Sequence, residues 1–213
     1  MSKQNFIQIN TSVMSPPLVP EVKLHLADEA VPLWQKTEDE LGEMGLPPPF
    51  WAFAWAGGQA LARYILDNPG EVSSFTVLDL ATGSGLVGIA AALAGAQVVA
   101  ADIDAFAILA AEMNAKINDV NLDIVCEDLL MRPPPRFDVV LVGDLFYEKT
   151  LAERCLVWLR QCQAQGSLVL IGDPGRSYLP KEQLEKLAEY NVPVTRDLED
   201  AETKRTAVWQ LRA

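Results

Sequence analysis

The chain has 213 residues, half of them hydrophobic, with 29 acidic against 17 basic side chains and a net charge of −12. This length suits one domain with a sizeable core, and the hydrophobic fraction excludes a disordered chain. The acidic balance argues against broad contact with nucleic-acid phosphates, which need a basic face, and no run of about eighteen apolar residues predicts a membrane span.

Residues 1–50 read as a proline-punctuated lead-in, followed by a core over 51–213. Phe6-Ile7-Gln8-Ile9 is expected to be an extended edge piece. Pro16, Pro17 and Pro20 break any regular element before a second short strand at Val22–Leu26. Val31 to Met44 is predicted helical, with Pro32 in its first turn and Gly45 at its end. Three prolines at 47–49 stiffen the approach to the aromatic stretch Phe50-Trp51-Ala52-Phe53-Ala54-Trp55, and a helix is expected from about Gln59 to Asp67.

From there strand and helix alternate. Strands are predicted over 75–80, 97–101, 122–126, 137–142 and 168–171, with helices over 85–95, 104–118 and 149–163. A further helix is expected from Pro180 to about Tyr190, then two strands near 192–198 and 205–211 forming a hairpin around an acidic turn. Repeated strand–helix units imply an α/β fold with a mostly parallel sheet and right-handed crossovers. The closing hairpin would add an antiparallel strand.

The most informative segment is Val77-Leu78-Asp79-Leu80-Ala81-Thr82-Gly83-Ser84-Gly85. It is an apolar strand bearing an acid near its end, then a small-residue turn and a helix. Such a junction at the carboxyl edge of an α/β sheet is where small ligands dock. Asp102 ends the next apolar run, where a carboxylate can accept hydrogen bonds from ribose hydroxyls. Gly83-x-Gly85-x-x-Gly88 also fits a dinucleotide fingerprint. However, Asp79 stands four positions before Gly83, where a carboxylate would repel a pyrophosphate and attract an ammonium group. The pattern resembles the first motif of the seven-stranded, class I methyltransferases, and S-adenosylmethionine is the expected cofactor.

The strand over 137–142 ends in Gly143-Asp144-Leu145-Phe146-Tyr147. In a parallel sheet this tip lies beside that of the strand carrying Asp79. Aromatic faces can align a cation or an alkyl-amine stem, and the carboxylate can orient an amine and accept its charge. Core packing is the competing reading for Phe146 and Tyr147. Cys126, Cys155 and Cys162 form no C-x-x-C pair and are expected to be free thiols in a reducing compartment. His25 is alone, so no metal site is expected. The segment Met1–Phe6 has neither a signal-peptide apolar run nor the arginines of a transit peptide, which points to the cytoplasm of a prokaryote.

The resemblance extends further. Pro47-Pro48-Pro49-Phe50-Trp51-Ala52, Trp55 and Gly57 through Pro69 are similar to the entry segment of the lysine methyltransferases that modify the β subunit of electron transfer flavoprotein. So are the two motifs above, with Glu148, and the turn Gly172-Asp173-Pro174-Gly175-Arg176-Ser177-Tyr178. This resemblance implies one Rossmann-like methyltransferase domain over 1–213 that methylates protein lysines using S-adenosylmethionine. It assigns Trp55, Gly57, Asp79, Ala81, Gly83, Gly85, Asp102, Ile103, Asp128 and Gly143 to the cofactor. Asp144 and Tyr147 become the catalytic pair, and Phe146 and Glu148 contact the substrate. The implied partner is the flavoprotein β subunit, met by a monomer without nucleic acid or membrane. A small-molecule methyltransferase, a methyltransferase for another protein such as a ribosomal one, and an inactive cofactor-binding protein are the alternatives. Nucleic-acid methylation is disfavoured because Gly143-Asp144-Leu145-Phe146 lacks the two prolines common at that strand tip in amino-methylating enzymes.

Overall fold

The computed structural model describes residues 2–27, 48–194 and 202–212. The helix expected over 31–44, the triple proline's first residue and most of the acidic turn near 199 lie outside the described residues.

The lead-in begins with helix α1 (Lys3–Asn10), in place of the expected extended piece. Its start is capped: Ser2 Oγ accepts from the Asn5 amide at 3.2 Å. Phe6 and Ile7 turn inward together, which a strand's alternation would forbid. Strands β1 (Ser12–Met14) and β2 (Leu24–Leu26) form a small antiparallel pair. A 3₁₀ turn at Phe50–Ala52 then leads into helix α2 (Ala56–Asp67).

The core follows as β3 (Thr76–Leu80), α3 (Leu86–Leu93), β4 (Gln97–Asp102), α4 (Ala105–Ile117), β5 (Asp123–Cys126), β6 (Val139–Gly143), α5 (Lys149–Ala164) and β7 (Leu168–Asp173). The chain ends in β8 (Leu184–Pro193) and β9 (Thr203–Leu211). The helix expected over 180–190 is therefore a strand preceded by one 3₁₀ turn at Lys181–Gln183. Leu184, Leu187 and Tyr190 share a helix-like spacing, but β8 pairs along its whole length with β9, and that tertiary pairing overrides local preference.

Seven strands form one sheet in the order β5-β4-β3-β6-β7-β9-β8. Neighbours from β5 to β7 are parallel, and β9 runs antiparallel between β7 and β8. The expected α/β, mostly parallel architecture with an antiparallel closing strand is present. Alternate residues of the central strands feed two cores. Leu78, Val140, Val142 and Ile171 pack under Cys155, Trp158 and Leu159 of α5. Val77, Val139, Leu141 and Leu170 pack under Ala60, Leu61 and Ile65 of α2. Four consecutive buried apolar residues in β6 are what a strand covered on both faces requires.

The order reverses around β3. From β3 the chain steps outward through β4 to β5, then crosses back to lay β6 on the other side of β3. The crevice outside the carboxyl ends of strands at such a switch point is the expected ligand site.

Candidate active site

A cavity of about 530 Å³ opens at that switch point, within the usual range for ligand pockets. Its floor is the tips of β3, β4 and β6, and its mouth is aromatic. Of the residues selected from sequence, Trp55, Ala81, Gly83, Asp102, Ile103, Asp128, Gly143, Asp144 and Tyr147 line it. Gly57, Asp79, Gly85, Phe146 and Glu148 do not, and each plays a different local part.

The β3 side is a buttressed turn. Asp79 is only 2% exposed. Its Oδ2 accepts from Thr82 Oγ1 at 2.5 Å and from the Gly88 amide at 2.8 Å. These two bonds join the end of β3 to the start of α3. Burial pushes this carboxyl up to about 6, the two hydrogen bonds pull it down, and Asp102 pushes it up. Gly83 lies at φ +53° with no atom within 4 Å of where a Cβ would stand. A side chain there would be strained and would project into ligand space. Gly85 is needed for packing, because its Cβ position is 3.1 Å from Ala111 of α4. Asn114, fully buried, donates to the Ser84 carbonyl at 2.7 Å and accepts from the His25 amide at 2.7 Å. One α4 side chain therefore ties the lead-in hairpin to the ligand turn.

At the tip of β4, Asp102 uses both oxygens. Oδ2 accepts from the Gly83 amide and Oδ1 from the Asp104 amide, each at 3.0 Å. Burial raises its pKa while these amides oppose the rise. Ile103 beside it is 69% exposed, an apolar surface on the cavity wall. Asp128, after β5, accepts from the Leu130 amide and pairs with Arg154 at 2.9 Å.

The β6 side holds the second constellation. Asp144 is 9% exposed and sits at φ +54°. Ala81, at the neighbouring tip, has φ +56°. Left-handed backbone costs a non-glycine residue roughly 1–2 kcal/mol, so both strand tips facing the cavity carry strain, a common mark of functional sites. Asp144 Oδ2 accepts from the Gly58 amide at 2.9 Å, and Oδ1 from Arg176 Nη2 at 3.0 Å. Burial pushes its carboxyl up to about 6, opposed by Arg176 and reinforced by Asp173. Tyr147 is 47% exposed at the mouth. Its phenol lies above its ordinary pKa through burial and the nearby acids Glu148 and Asp102. Phe50 lies 5.8 Å from Tyr147 and 5.9 Å from Trp55, centroid to centroid. The Trp55 indole donates to the Phe50 carbonyl at 2.9 Å, which fixes the rim.

Phe146 is fully buried in the core under α5, so its expected contact with substrate is replaced by packing. Glu148 caps α5, accepting from the Thr150 and Leu151 amides at 2.9 Å each. Gly57 is a packing position: a Cβ there would stand 2.2 Å from the Gly172 carbonyl oxygen. Its absence lets α2 press onto β7 and brings the Gly58 amide to Asp144.

Among the described residues, five carboxylates line the cavity (Asp102, Asp104, Glu127, Asp128 and Asp144) against two arginines. Both arginines are already paired, Arg154 with Asp128 and Arg176 with Asp144. The cavity therefore favours cationic ligands over pyrophosphates. Sequence reasoning leaves Arg176, Arg154 and Phe50 out of the site. Arg176 and Phe50 lie within segments singled out for resemblance, but only the fold carries them to the cavity.

A family model described as "Ribosomal protein L11 methyltransferase (PrmA)" matches residues 59–145, the stretch from α2 to the β6 tip. The solved structure of magnesium protoporphyrin IX methyltransferase (ChlM) from Synechocystis PCC 6803 with bound SAM aligns with a TM-score of 0.53 at 14% identity, over 73% of this chain and 78% of that one. The fold is thus the Rossmann-like, seven-stranded α/β fold of that methyltransferase.

The rat electron transfer flavoprotein beta subunit lysine methyltransferase is 38% identical over 212 residues, covering 96% of this chain and 82% of that protein. The zebrafish (Danio rerio) protein of the same name is 38% identical over 215 residues, covering 97% and 82%. The chain belongs to this family of lysine methyltransferases.

Proposed function

We propose that the chain transfers a methyl group from S-adenosylmethionine to lysine side chains of the electron transfer flavoprotein β subunit. The observation that carries this reading is the acid-lined cavity bounded on one side by the Gly83–Asp102 turn and on the other by Asp144 and an aromatic rim. It fits two cations in sequence, the cofactor and the substrate amine. The names of the family's members supply the substrate.

The cofactor, when bound, supplies an electrophilic methyl group on sulfur. Gly83 would leave space for it, Asp102 would accept from its ribose hydroxyls, Ile103 and Asp128 would flank its base, and Ala81, Gly143 and Trp55 would complete its wall. Asp79 and Gly85 serve it indirectly by holding the turn, and Gly57 by seating α2. Asp144 and Tyr147 face the incoming lysine, with Phe50 beside them. Free lysine has a pKa of about 10.4, so the ammonium must lose a proton before its nitrogen attacks. Asp144 orients the amine and draws off its charge, and the aromatic rim aligns the alkyl stem. The rest is in-line positioning. The proton that the ammonium gives up leaves to solvent, and the neutral nitrogen is then held ready to attack.

The chain works as one domain, a monomer, with residues 1–50 as a lead-in to the core at 51–213. Among the described residues no helix is long and apolar enough to cross a membrane. Cys126, Cys155 and Cys162 are free, and burial pushes the last two thiols up to about 12, which makes them unreactive packing groups. The relatives named above are animal proteins, so they lend no support to the prokaryotic source expected from the sequence. Methylation of a ribosomal protein is the second reading, favoured by the match over residues 59–145. That match ends before Tyr147 and Arg176, so it speaks for the cofactor half and not for the substrate end.

The test is labelled methyl transfer from S-adenosylmethionine into purified flavoprotein β subunit and, separately, into ribosomal proteins. Mass spectrometry showing methyl mass on lysines of the β subunit is expected. Label on ribosomal protein alone would move the substrate, and label on neither protein would overturn the lysine reading. Transfer should also fall steeply as salt rises, because an acidic mouth attracts a lysine-bearing loop through screened charges.

A further inference from the structure

Arg176 stands outside the strand tips that build the cavity, yet it reaches two of the cavity's key side chains. It closes the turn Asp173-Pro174-Gly175-Arg176 that follows β7. Asp173 Oδ1 accepts from the Gly175 amide at 2.6 Å and the Arg176 amide at 2.7 Å, and Asp173 is 1% exposed. The turn is thus locked from beneath. It delivers the guanidinium to Asp144 Oδ1 at 3.0 Å and over the Trp55 ring, 5.7 Å from its centroid. The other Asp144 oxygen is held by the Gly58 amide from α2. Two elements therefore grip one carboxylate from two sides, and only one grip is charged. A carboxylate this buried with neutral donors alone would tend to take up a proton.

We infer that Arg176 is a positioning residue for methyl transfer: its guanidinium keeps Asp144 an ionised, aimed carboxylate beside the substrate amine and sets Trp55 against it, while Asp173 fixes Arg176 in place. This inference rests on the assignment of Asp144 to the amine. Among the described residues, two charged groups bear on Asp144, and they differ in sign. Arg176 from the turn opposes the push of burial, whereas Asp173 from β7 adds to it. Lys181, after the turn, acts on Asp173. Asp102 and Tyr147 line the same cavity. With Arg176 gone, the push of Asp173 on Asp144 loses its positive counterweight.

The test is the pH profile of kcat/KM for methylation of the flavoprotein β subunit. Arg176→Gln, and Arg176→Met, which keeps an apolar stem over Trp55, should move the acid limb upward by about one pH unit or more. Activity at pH 7 should fall by about twofold or more and recover toward wild type at pH 9. Arg176→Lys, which keeps the charge without the fork, should restore much of the limb. The lysine's own deprotonation is common to all variants and cancels. Affinity for S-adenosylhomocysteine, read by calorimetry, should stay within about threefold of wild type. A purely structural role would lower activity equally at every pH and would not distinguish Lys from Gln. Asp144→Asn separates the two layers. If it transfers normally, the assignment of Asp144 fails. If it is inactive while both neutral Arg176 variants keep the wild-type limb, Arg176 has no positioning role and the Asp144 assignment stands.

Discussion

Asp79 and Asp144 stand near the ends of neighbouring parallel strands, both buried, and burial pushes each up to about 6. Their partners divide them. Asp79 is held by a hydroxyl and an amide, both neutral, and braces the ligand turn from behind. Asp144 is held by an amide and a guanidinium, lines the cavity, and sits on strained backbone. Equal burial therefore does not mean equal function. In the proposed mechanism a charged partner keeps Asp144 available for chemistry, while neutral partners leave Asp79 as a scaffold that tolerates protonation.

The largest expected effect falls on the cofactor side of this comparison. Gly83→Arg places a bulky cation on strained backbone inside the ligand space, and calorimetry should show affinity for S-adenosylhomocysteine reduced by at least about a hundredfold. Gly57→Ala attacks the seating of both sides at once. A methyl group 2.2 Å from a backbone oxygen forces α2 off β7, and chemical denaturation should show a loss of about 3 kcal/mol or more. If instead only cofactor affinity fell, Gly57 would be a ligand contact after all.

Asp79→Asn sharpens the scaffold half. A raised folded-state pKa means that this group's contribution is present below the ordinary carboxylate range and is lost as pH rises through about 6. Wild type should lose about 2 kcal/mol relative to the Asn variant between pH 4 and pH 7, an order-of-magnitude figure readable from paired denaturation curves. Equal slopes for the two proteins would leave Asp79 without this role. The smallest effect belongs to Glu148→Ala, which removes the α5 cap. It should lower the melting temperature slightly and leave kcat/KM unchanged, whereas a changed KM for the protein substrate would return Glu148 to the substrate set.

The same contrast shows what the chain's order of residues reveals. The strand–turn–helix around Gly83, the acid at 102 and the acid–aromatic group at 144–147 are legible because each is local: apolar period, glycine spacing and strand tip sit within a few residues. Phe146 and Tyr147 are not separable by sequence, since both follow a buried strand and only the turn between β6 and α5 decides which faces inward. Gly57 and Glu148 read as ligand contacts because proximity to a motif in sequence does not show which side of a helix start faces the cavity. Arg176 lies 32 positions from Asp144, and its role depends on the crossover that puts β7 beside β6. β8 reads as a helix because its partner, β9, lies beyond it in sequence, and α1 reads as a strand because its Ser2 cap carries little signal by itself.

The most direct measurement is a paired titration of Asp144→Ala and Gly83→Arg, each assayed for S-adenosylhomocysteine binding and for methyl transfer to the flavoprotein β subunit. Asp144→Ala is predicted to bind within about threefold of wild type and to lose transfer by about a hundredfold or more, while Gly83→Arg loses both. Asp144→Ala that transfers normally, or that loses binding and transfer together, would contradict the separation of cofactor and transfer duties between the two strand tips.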